Sequence, residues 1–381
     1  HFVASGVTTI RNTAGNVLLL KNLIEKSDDA PAPRIYASDR MIDGTPGQWG
    51  PTSYGALVTD GPEEARKEVR RQVEVGAKFV KLYGWIKRDV MAAAVDEAKK
   101  FNLEVAIDLA NSKDLTALDA AELGVTWFEH ASGFAHAIYK GWNLFVDKEE
   151  EWSHIDWEKP DQEKIKEFCK KILAYNVKLC PTMVVLDQPM KYPDFWSPKN
   201  IIIESASKIN YMMDYWKEHT EIIDLLKSSS AKINNFTKVI AKIYYDMGGT
   251  VVAGSDTPAF VYTYPGMALH RELELFVEIG FTEMEALQAA TVNAAKSINL
   301  NGITDKTLCL LGASLRLSGN PAKALPYLIM CAYLNPKTEY LTGNIVLCLS
   351  ILKFKNMDEI LSQLKGSCID LWSRQQIESL K

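Results

Sequence analysis

Short apolar runs alternate with amphipathic stretches along most of the chain, and each kind predicts a different element. Runs rich in apolar and β-branched residues are typical of strands buried on both faces, as in a parallel sheet. Such runs lie at 7–11, 34–37, 79–83, 105–108, 125–130, 177–185 and 250–253. Helices are predicted, from the spacing of apolar residues, at 17–25, 62–76, 89–101, 113–123, 161–175, 236–247 and 282–298.

From residue 62 onward, helix and strand alternate as a repeating unit. Several of the helices stop at Gly or Asn, such as Gly76, Asn102 and Gly124, which suit a left-handed helix end. Repeated helix–strand units predict right-handed crossovers and a parallel sheet. Because no G-x-G-x-x-G follows a strand, a dinucleotide-binding sheet is the weaker alternative. We therefore predict an α/β fold, a (β/α) barrel of the TIM type.

The seven predicted strands fall one short of a closed barrel, which needs eight. We interpret the chain as an N-terminally incomplete fragment whose barrel lacks its first strand and is open. An open barrel exposes strand edges, so we expect the edge near Val7 to be covered by a neighbouring element or to be prone to aggregation. Residues 135–160 and 186–230 interrupt the repeat after strand ends and are expected over the carboxyl face as a lid or specificity loop.

The pattern changes after Asn301-Gly302, which predicts two domains: a barrel over 1–300 and a helical segment over 301–381. Part of the second segment resembles one tetratricopeptide repeat. The matching positions are Leu308-x-x-Leu311-Gly312-x-x-Leu315, then Ala324-x-x-x-Leu328 and Pro336. An ordinary helical hairpin is the alternative. A single repeat cannot bury its own face, so these helices would dock on the barrel or bind a protein partner.

Composition limits the binding partners and the cellular compartment that we expect for this protein. The 381 residues are 47% hydrophobic and carry a net charge of −5, so neither nucleic acid nor an anionic membrane surface is an expected partner. No apolar run reaches the ~18 residues of a membrane span. The six cysteines form no C-x-x-C pair, which favours buried free thiols in a reducing compartment. We therefore expect a cytoplasmic protein.

Four polar residues lie in or just after predicted strands: Lys81, Asp108, His130 and Asp256. The carboxyl ends of parallel barrel strands meet at one face, so we expect the four side chains to converge. Imidazole and carboxylates can hold a divalent ion that activates water for hydrolysis. Each residue also has a structural interpretation, in which Lys81 is solvated, His130 is a structural histidine, and Asp108 and Asp256 cap local turns or helices. His136, His154 and His270 are expected on the surface.

The sequence resembles the amidohydrolase superfamily, and within it the imidazolonepropionase-like and Xaa-Pro-dipeptidase-like metal-dependent hydrolases. The segments that resemble it are Gly6-Val7-Thr8-Thr9-Ile10-Arg11, Val80-Lys81, Phe128-Glu129-His130, Ala253-Gly254-Ser255-Asp256-Thr257-Pro258, and the stretch from His270-Arg271-Glu272-Leu273 to Ala289-Ala290-Thr291-Val292-Asn293-Ala294-Ala295. The resemblance implies hydrolysis of C–N bonds in small amide, cyclic amide or dipeptide-like substrates. It also implies that Lys81 is a carbamylated bridging ligand, His130 a metal ligand, and Asp256 a ligand that moves protons.

Two departures from the family pattern alter the expected metal site. The His-x-His pair of the family's first strand is absent with that strand, and Asp108 stands where the family has a fifth-strand histidine. An aspartate shifts the preferred ion from Zn²⁺ toward Mn²⁺ or Mg²⁺. Of the one or two ions the family holds, we expect this chain to bind at most one, weakly, and to hydrolyse amides slowly or not at all. The alternatives are a non-catalytic barrel with a helical interaction module, and a barrel fragment joined to unrelated helices.

Overall fold

The computed structural model describes residues 1–26, 32–142 and 152–300, and then 309, 312–313, 315–317, 319–334 and 341–353. Two compact units divide the chain, His1–Ser297 and Ile298–Lys381. The first unit contains all of the described strands. Among the described helices, none is both long enough and apolar enough to cross a bilayer.

The first unit is built of short strands and helices. The strands are β1 (Thr9–Asn12), β2 (Arg34–Ala37), β3 (Met41–Asp43), β4 (Ala56–Val58), β5 (Phe79–Leu82), β6 (Glu104–Ile107), β7 (Trp127–Glu129), β8 (Lys178–Cys180) and β9 (Thr250–Val251). The helices are α1 (Val17–Ile24), α2 (Pro62–Val75), α3 (Arg88–Lys100), α4 (Ala117–Leu123), α5 (Phe134–Ile138), α6 (Gln162–Ile172), α7 (Met183–Lys191), α8 (Ile201–Ala206), α9 (Asn210–Thr220), α10 (Ile223–Asp246), α11 (Met267–Glu278), α12 (Glu283–Ala290) and α13 (Val292–Ser297).

A seven-stranded parallel sheet organises this unit, in the order β4-β3-β5-β6-β7-β8-β9. The predicted α/β fold with a mostly parallel sheet of the TIM type is therefore confirmed. The register places Leu82, Ile107, Phe128, Leu179 and Val251 side by side across five neighbouring strands. Because the strands run parallel, the residues that follow these five positions lie together at the carboxyl edge of the sheet.

The N-terminal strands differ from the expectation. β1 and β2 pair in parallel with each other in a separate two-stranded sheet, while β3 and β4, which the pattern did not predict, join the main sheet. The backbone N–H of Lys78 donates to the carbonyl of Ala37 at 2.8 Å, so the end of β2 meets the start of β5. In the described residues, β4 and β9 are the end strands of the main sheet.

Local sequence explains where the repeating helices begin and end. Pro62 occupies the first turn of α2, and Gly76 ends that helix at φ 92°. A capping box joins Thr116 and Asp119 at the start of α4. The Asp161 side chain accepts hydrogen bonds from two backbone N–H groups at the start of α6. These helices cover the sheet with their buried faces, as the apolar spacing predicted.

Several predicted boundaries are wrong. Residues 183–185 were assigned to the strand that ends at Cys180, but they begin α7, whose first N–H groups donate to Glu272. The helix predicted over 236–247 begins at Ile223 instead. The helix predicted over 282–298 is broken at Thr291 into α12 and α13.

The second unit is helical where it is described. Its helices are α14 (Pro321–Leu334) and α15 (Leu341–Ile351), and they contact each other. Cys309, Leu328, Cys331 and Cys348 share a small buried core there. The tetratricopeptide repeat is not confirmed, since Leu308, Leu311 and Pro336 lie outside the described residues. Five free cysteines, Cys169, Cys180, Cys309, Cys331 and Cys348, are buried, and Cys368 lies outside the described part.

Candidate active site

The four predicted site residues occupy the expected strand ends. Lys81 lies within β5 and is 3% exposed, so its interpretation as a solvated lysine is wrong. Asp108 directly follows β6, and His130 directly follows β7. Asp256 lies beyond β9, in the loop that leads to α11.

His130 stands between two carboxylates. Its Nε2 atom lies 3.6 Å from Oδ2 of Asp108 and 3.8 Å from Oδ2 of Asp256. Its Nδ1 atom is in hydrogen-bond contact with Oγ1 of Thr182, whose hydroxyl donates to the carbonyl of Pro181 at 2.9 Å. Nε2 is therefore the ring atom that faces the two carboxylates, while Thr182 contacts the opposite ring nitrogen. A proton on Nε2 or a bound cation would offset the repulsion between the two carboxylates.

The backbone at these strand ends is unusual. His130, Thr182 and Asp256 have φ values of 61°, 45° and 43°, all in the left-handed region. For a β-branched residue such as Thr182 this conformation is a genuine outlier. Backbone strain of this kind costs of order 1–3 kcal/mol per residue and clusters at functional sites. The fold therefore holds His130, its Thr182 partner and Asp256 in conformations that stability alone does not favour.

Asp108 does not cap the helix that follows it. Its Oδ1 atom accepts a hydrogen bond from the N–H of Ala110 at 2.9 Å, whereas the cap of α4 is Thr116. Tyr83, which follows β5, approaches the same carboxylate. Burial and the neighbouring Asp108 raise the pKa of Tyr83 well above its ordinary value, so its hydroxyl stays protonated and can donate. Asp108 is thus fixed on one side and faces His130 on the other.

Asp256 is the more accessible of the two carboxylates. Its side chain is 38% exposed, compared with 5% for Asp108. Burial of its carboxyl group among protein atoms raises the pKa of Asp256, while the positive charges of His130 and Lys81 oppose this rise. A carboxylate with a raised pKa that solvent can reach is suited to accept a proton.

Beneath this cluster, Lys81 belongs to a buried chain of charges. Its Nζ atom lies 3.9 Å from Oε1 of Glu129, and the same oxygen accepts a hydrogen bond from Nη1 of Arg11 at 2.6 Å. The guanidinium of Arg11 lies 4.0 Å from the ring centres of Phe79 and Trp127. Burial raises the pKa of Glu129, but Arg11, Lys81 and His130 outweigh it and hold that pKa below its ordinary value. Glu129 is therefore ionised and is the anion that Arg11 and Lys81 share.

Several residues that shape the site were not predicted from the sequence. They are Arg11, Asp43, Tyr83, Glu129 and Thr182. Asp43, Tyr83 and Thr182 each follow or end a strand, and this placement was the available signal. His136 was expected on the surface but is 6% exposed, and burial lowers its pKa to about 4. His154 and His270 are exposed, as expected.

His130, Asp108 and Asp256 are the side chains that could hold a divalent ion at this site. Within the described residues, no three His, Cys, Asp or Glu side chains already stand as a preformed metal site. The chemistry of His130 with Asp108 and Asp256 nevertheless suits a divalent ion, since it combines one imidazole nitrogen with two carboxylates. A bridging carbamate on Lys81 would place a negative charge beside Glu129 and would need further cations to balance it.

Comparisons with known proteins give the family and the fold of this chain. The model of the amidohydrolase family matches residues 1–303. No curated protein matches the sequence. Similar folds occur in a Xaa-Pro dipeptidase with bound methionine in its active site (TM-score 0.52, 20% identity) and in bottromycin amidohydrolase (TM-score 0.57, 18% identity). A third is a prolidase complexed with N-methylphosphonate-L-proline (TM-score 0.54, 20% identity).

These three similarities cover 78 to 79% of this chain and 64 to 66% of the other proteins. The chain therefore spans slightly less than two thirds of the length of those proteins. At this level of identity the comparison shows a shared fold.

Proposed function

This chain belongs to the amidohydrolase family, and from that premise we propose that its barrel hydrolyses C–N bonds in small amide, cyclic amide or dipeptide-like substrates. The proposed site is the cluster of His130, Asp108 and Asp256. The observation that supports it most directly is that Nε2 of His130 faces two carboxylates while Thr182 contacts the opposite ring nitrogen. With Nε2 unprotonated, this arrangement would present three acceptors to a cation.

Each residue has a distinct part in the proposed reaction. Thr182 keeps the proton of His130 on Nδ1, and Asp108, anchored by Ala110, presents its other oxygen to the site. A divalent ion held by this set would polarise the scissile carbonyl and lower the pKa of its water to about 7. Asp256 Oδ2 takes the proton from the attacking water and delivers it to the leaving nitrogen, because Asp256 is the accessible carboxylate with the raised pKa.

Lys81 is proposed to act as a fixed cation beneath the site. When the side chains named next are ionised, two cations face four carboxylates, so the cluster carries an excess of negative charge. The groups are Arg11 and Lys81 against Asp43, Asp108, Glu129 and Asp256. One divalent ion offsets that excess. A carbamate on Lys81 would enlarge it, and a second ion would then be needed.

A non-catalytic barrel is the second candidate. The paired charges of Arg11, Glu129 and Lys81 favour it, because they satisfy one another at the floor of the site without an ion. Under this alternative, the residues with left-handed backbone conformations and the His130 cluster would be present without a catalytic role. The two candidates differ in whether any amide is turned over.

The experiment that tests the proposal is a comparison of Asp256→Asn with Asp246→Asn. Asp246 is 53% exposed at the end of α10 and pairs with Lys242, so its substitution removes the same charge far from the cluster. Each protein is incubated with Mn²⁺ and either a dipeptide or an N-acetyl amino-acid amide, and products are quantified by mass spectrometry. We expect slow turnover in the parent chain, a loss of at least about 100-fold in kcat for Asp256→Asn, and a change within about twofold for Asp246→Asn. Equal rates in both variants would contradict the role of Asp256.

A further inference from the structure

The loop between β3 and β4 holds an exposed tryptophan beside the candidate active site. The side chain of Trp49 is 51% exposed, and its ring centre lies 4.9 Å from that of Tyr83 at an interplanar angle of 55°. Tyr83 in turn approaches Asp108, whose carboxylate faces His130. The indole therefore contacts a residue of the site, while about half of its side chain is exposed to solvent.

A buried carboxylate fixes the loop that bears Trp49. Asp43, at the end of β3, has no exposed surface. Its Oδ1 atom accepts hydrogen bonds from the N–H groups of Gly44 at 2.9 Å and Trp85 at 3.0 Å, and its Oδ2 atom accepts one from Gln48 at 2.8 Å. Asp43 thus joins the loop after β3 to the loop after β5. Its partner Gln48 directly precedes Trp49 in the first of these loops.

Two further contacts hold the same loop. The side-chain amide of Asn111, which follows β6, donates to the side-chain carbonyl of Gln48. Gly44 packs so closely that a Cβ atom there would lie 1.9 Å from the carbonyl oxygen of Trp85. The loop is therefore preorganised by the folded barrel, and a ligand that contacts Trp49 does not have to order it.

A single exposed aromatic ring on a protein surface needs no functional explanation. Tyr54, in the same loop, is 97% exposed and is an example of such a ring. Trp49 differs in three respects that all concern the site. It packs on Tyr83, its loop is pinned by a fully buried aspartate, and that loop is tied to the strand ends which present Tyr83 and Asp108.

We propose that Trp49 is a specificity-determining residue that packs against an apolar, preferably planar, side chain next to the scissile amide. An indole face buries aromatic surface well and loses little conformational entropy when its loop is already ordered. Trp49 does not touch the reacting bond, so it acts on the choice of substrate rather than on the chemical step. This inference rests on the proposed amide-hydrolysing function of the same site.

The test compares Trp49→Ala, Trp49→Phe and the matched control Tyr54→Ala on two substrates, N-acetyl-L-phenylalaninamide and N-acetyl-L-alaninamide. Trp49→Ala is expected to lower kcat/KM for the phenylalanine amide by about tenfold through KM, with kcat unchanged, and to alter the alanine amide less than about twofold. Trp49→Phe should restore most of the preference, and Tyr54→Ala should leave both substrates unaffected. Equal effects of Trp49→Ala on the two amides, or an effect of Tyr54→Ala as large as that of Trp49→Ala, would overturn the proposal.

A binding measurement separates this proposal from the proposed function. Dissociation constants of both amides are measured by saturation-transfer NMR with the parent chain and the three variants. If the parent hydrolyses neither amide but binds the phenylalanine amide more tightly, and only the Trp49 substitutions reduce that preference, the hydrolytic function fails and the role of Trp49 stands. If the parent binds the two amides equally, or neither of them, the role of Trp49 is overturned whatever the turnover.

Discussion

At the scale of single residues, the candidate site depends on charges that neutralise one another out of solvent. The side chains of Lys81 and Glu129 are 3% and 5% exposed, and that of Arg11 is 13% exposed. A buried charge that loses its partner costs several kcal/mol, whereas the intact pair contributes little net stability. Glu129 is the shared partner of both cations, so the floor of the site depends on this one carboxylate.

Glu129→Gln should therefore destabilise the first unit by about 3–5 kcal/mol, because Arg11 and Lys81 would both lose the buried carboxylate that they share. The matched control is Glu163→Gln, which removes a carboxylate that is 81% exposed and pairs with Lys166. The control should change the free energy of unfolding by less than about 0.5 kcal/mol. Urea unfolding followed by circular dichroism measures both. Similar small changes in the two variants would mean that the buried chain of charges is not coupled as the distances indicate.

At the scale of elements, a second ion network fastens the N-terminal sheet to the barrel. The carboxylate of Glu68, in α2, accepts hydrogen bonds from Nε of Arg40 at 2.9 Å and from Nε of Arg71 at 3.0 Å. Arg71 also contacts Asp39, whose other oxygen accepts the N–H of Val17 at the start of α1 at 2.7 Å. The residues between β2 and β3 are thus bound to both α1 and α2.

The stability supplied by Glu68 should depend on pH in a defined window. Burial raises its pKa, but hydrogen bonds from Arg40, Arg71 and Gln72 outweigh this and lower the pKa to about 2 from 4.5. A carboxylate with a depressed folded-state pKa stabilises the fold above its unfolded pKa, and this stabilisation is lost as the pH falls from 4.5 toward 2.

Glu68→Gln should consequently lower the free energy of unfolding by on the order of 2 kcal/mol at pH 7, a figure reduced from the full pKa shift because both arginine partners are partly exposed. The difference between the parent and the variant should shrink on acidification through this window. Urea unfolding at pH 7, 5, 4 and 3 measures it. A difference that stays constant over this range would show that ionisation of Glu68 is not its source.

At the scale of the whole molecule, the parallel sheet was predictable because its central strands are continuous apolar runs between amphipathic helices. β3 and β4 were missed because each has three residues in a stretch rich in Gly and Pro. The start of α7 was missed because the side chain that caps it belongs to Glu272, which is 89 residues from Met183 in the sequence. Such a distant cap leaves no local signal. The predicted division at residue 300 remains a prediction of domain organisation.

The positions of three candidate site residues were predictable from the same pattern of strands. Asp108, His130 and Asp256 follow strand ends, and the sequence spacing alone places them at one edge. Their partners depend on tertiary packing instead. Arg11 meets Glu129 across 118 residues of sequence, and Thr182 meets His130 across 52. No local pattern records such contacts, so the proposed role of Lys81 as a paired cation emerges only in three dimensions.

The measurement that tests this account most directly is the number of divalent ions bound per chain, with its dependence on His130. The chain is stripped with chelator, titrated with Mn²⁺ in a calorimeter and analysed for metal after dialysis, beside His130→Ala and the exposed control His154→Ala. The account predicts at most one weakly held ion in the parent and in His154→Ala, and none in His130→Ala. Two ions retained through dialysis with rapid amide turnover, or ion binding that survives His130→Ala unchanged, would contradict it.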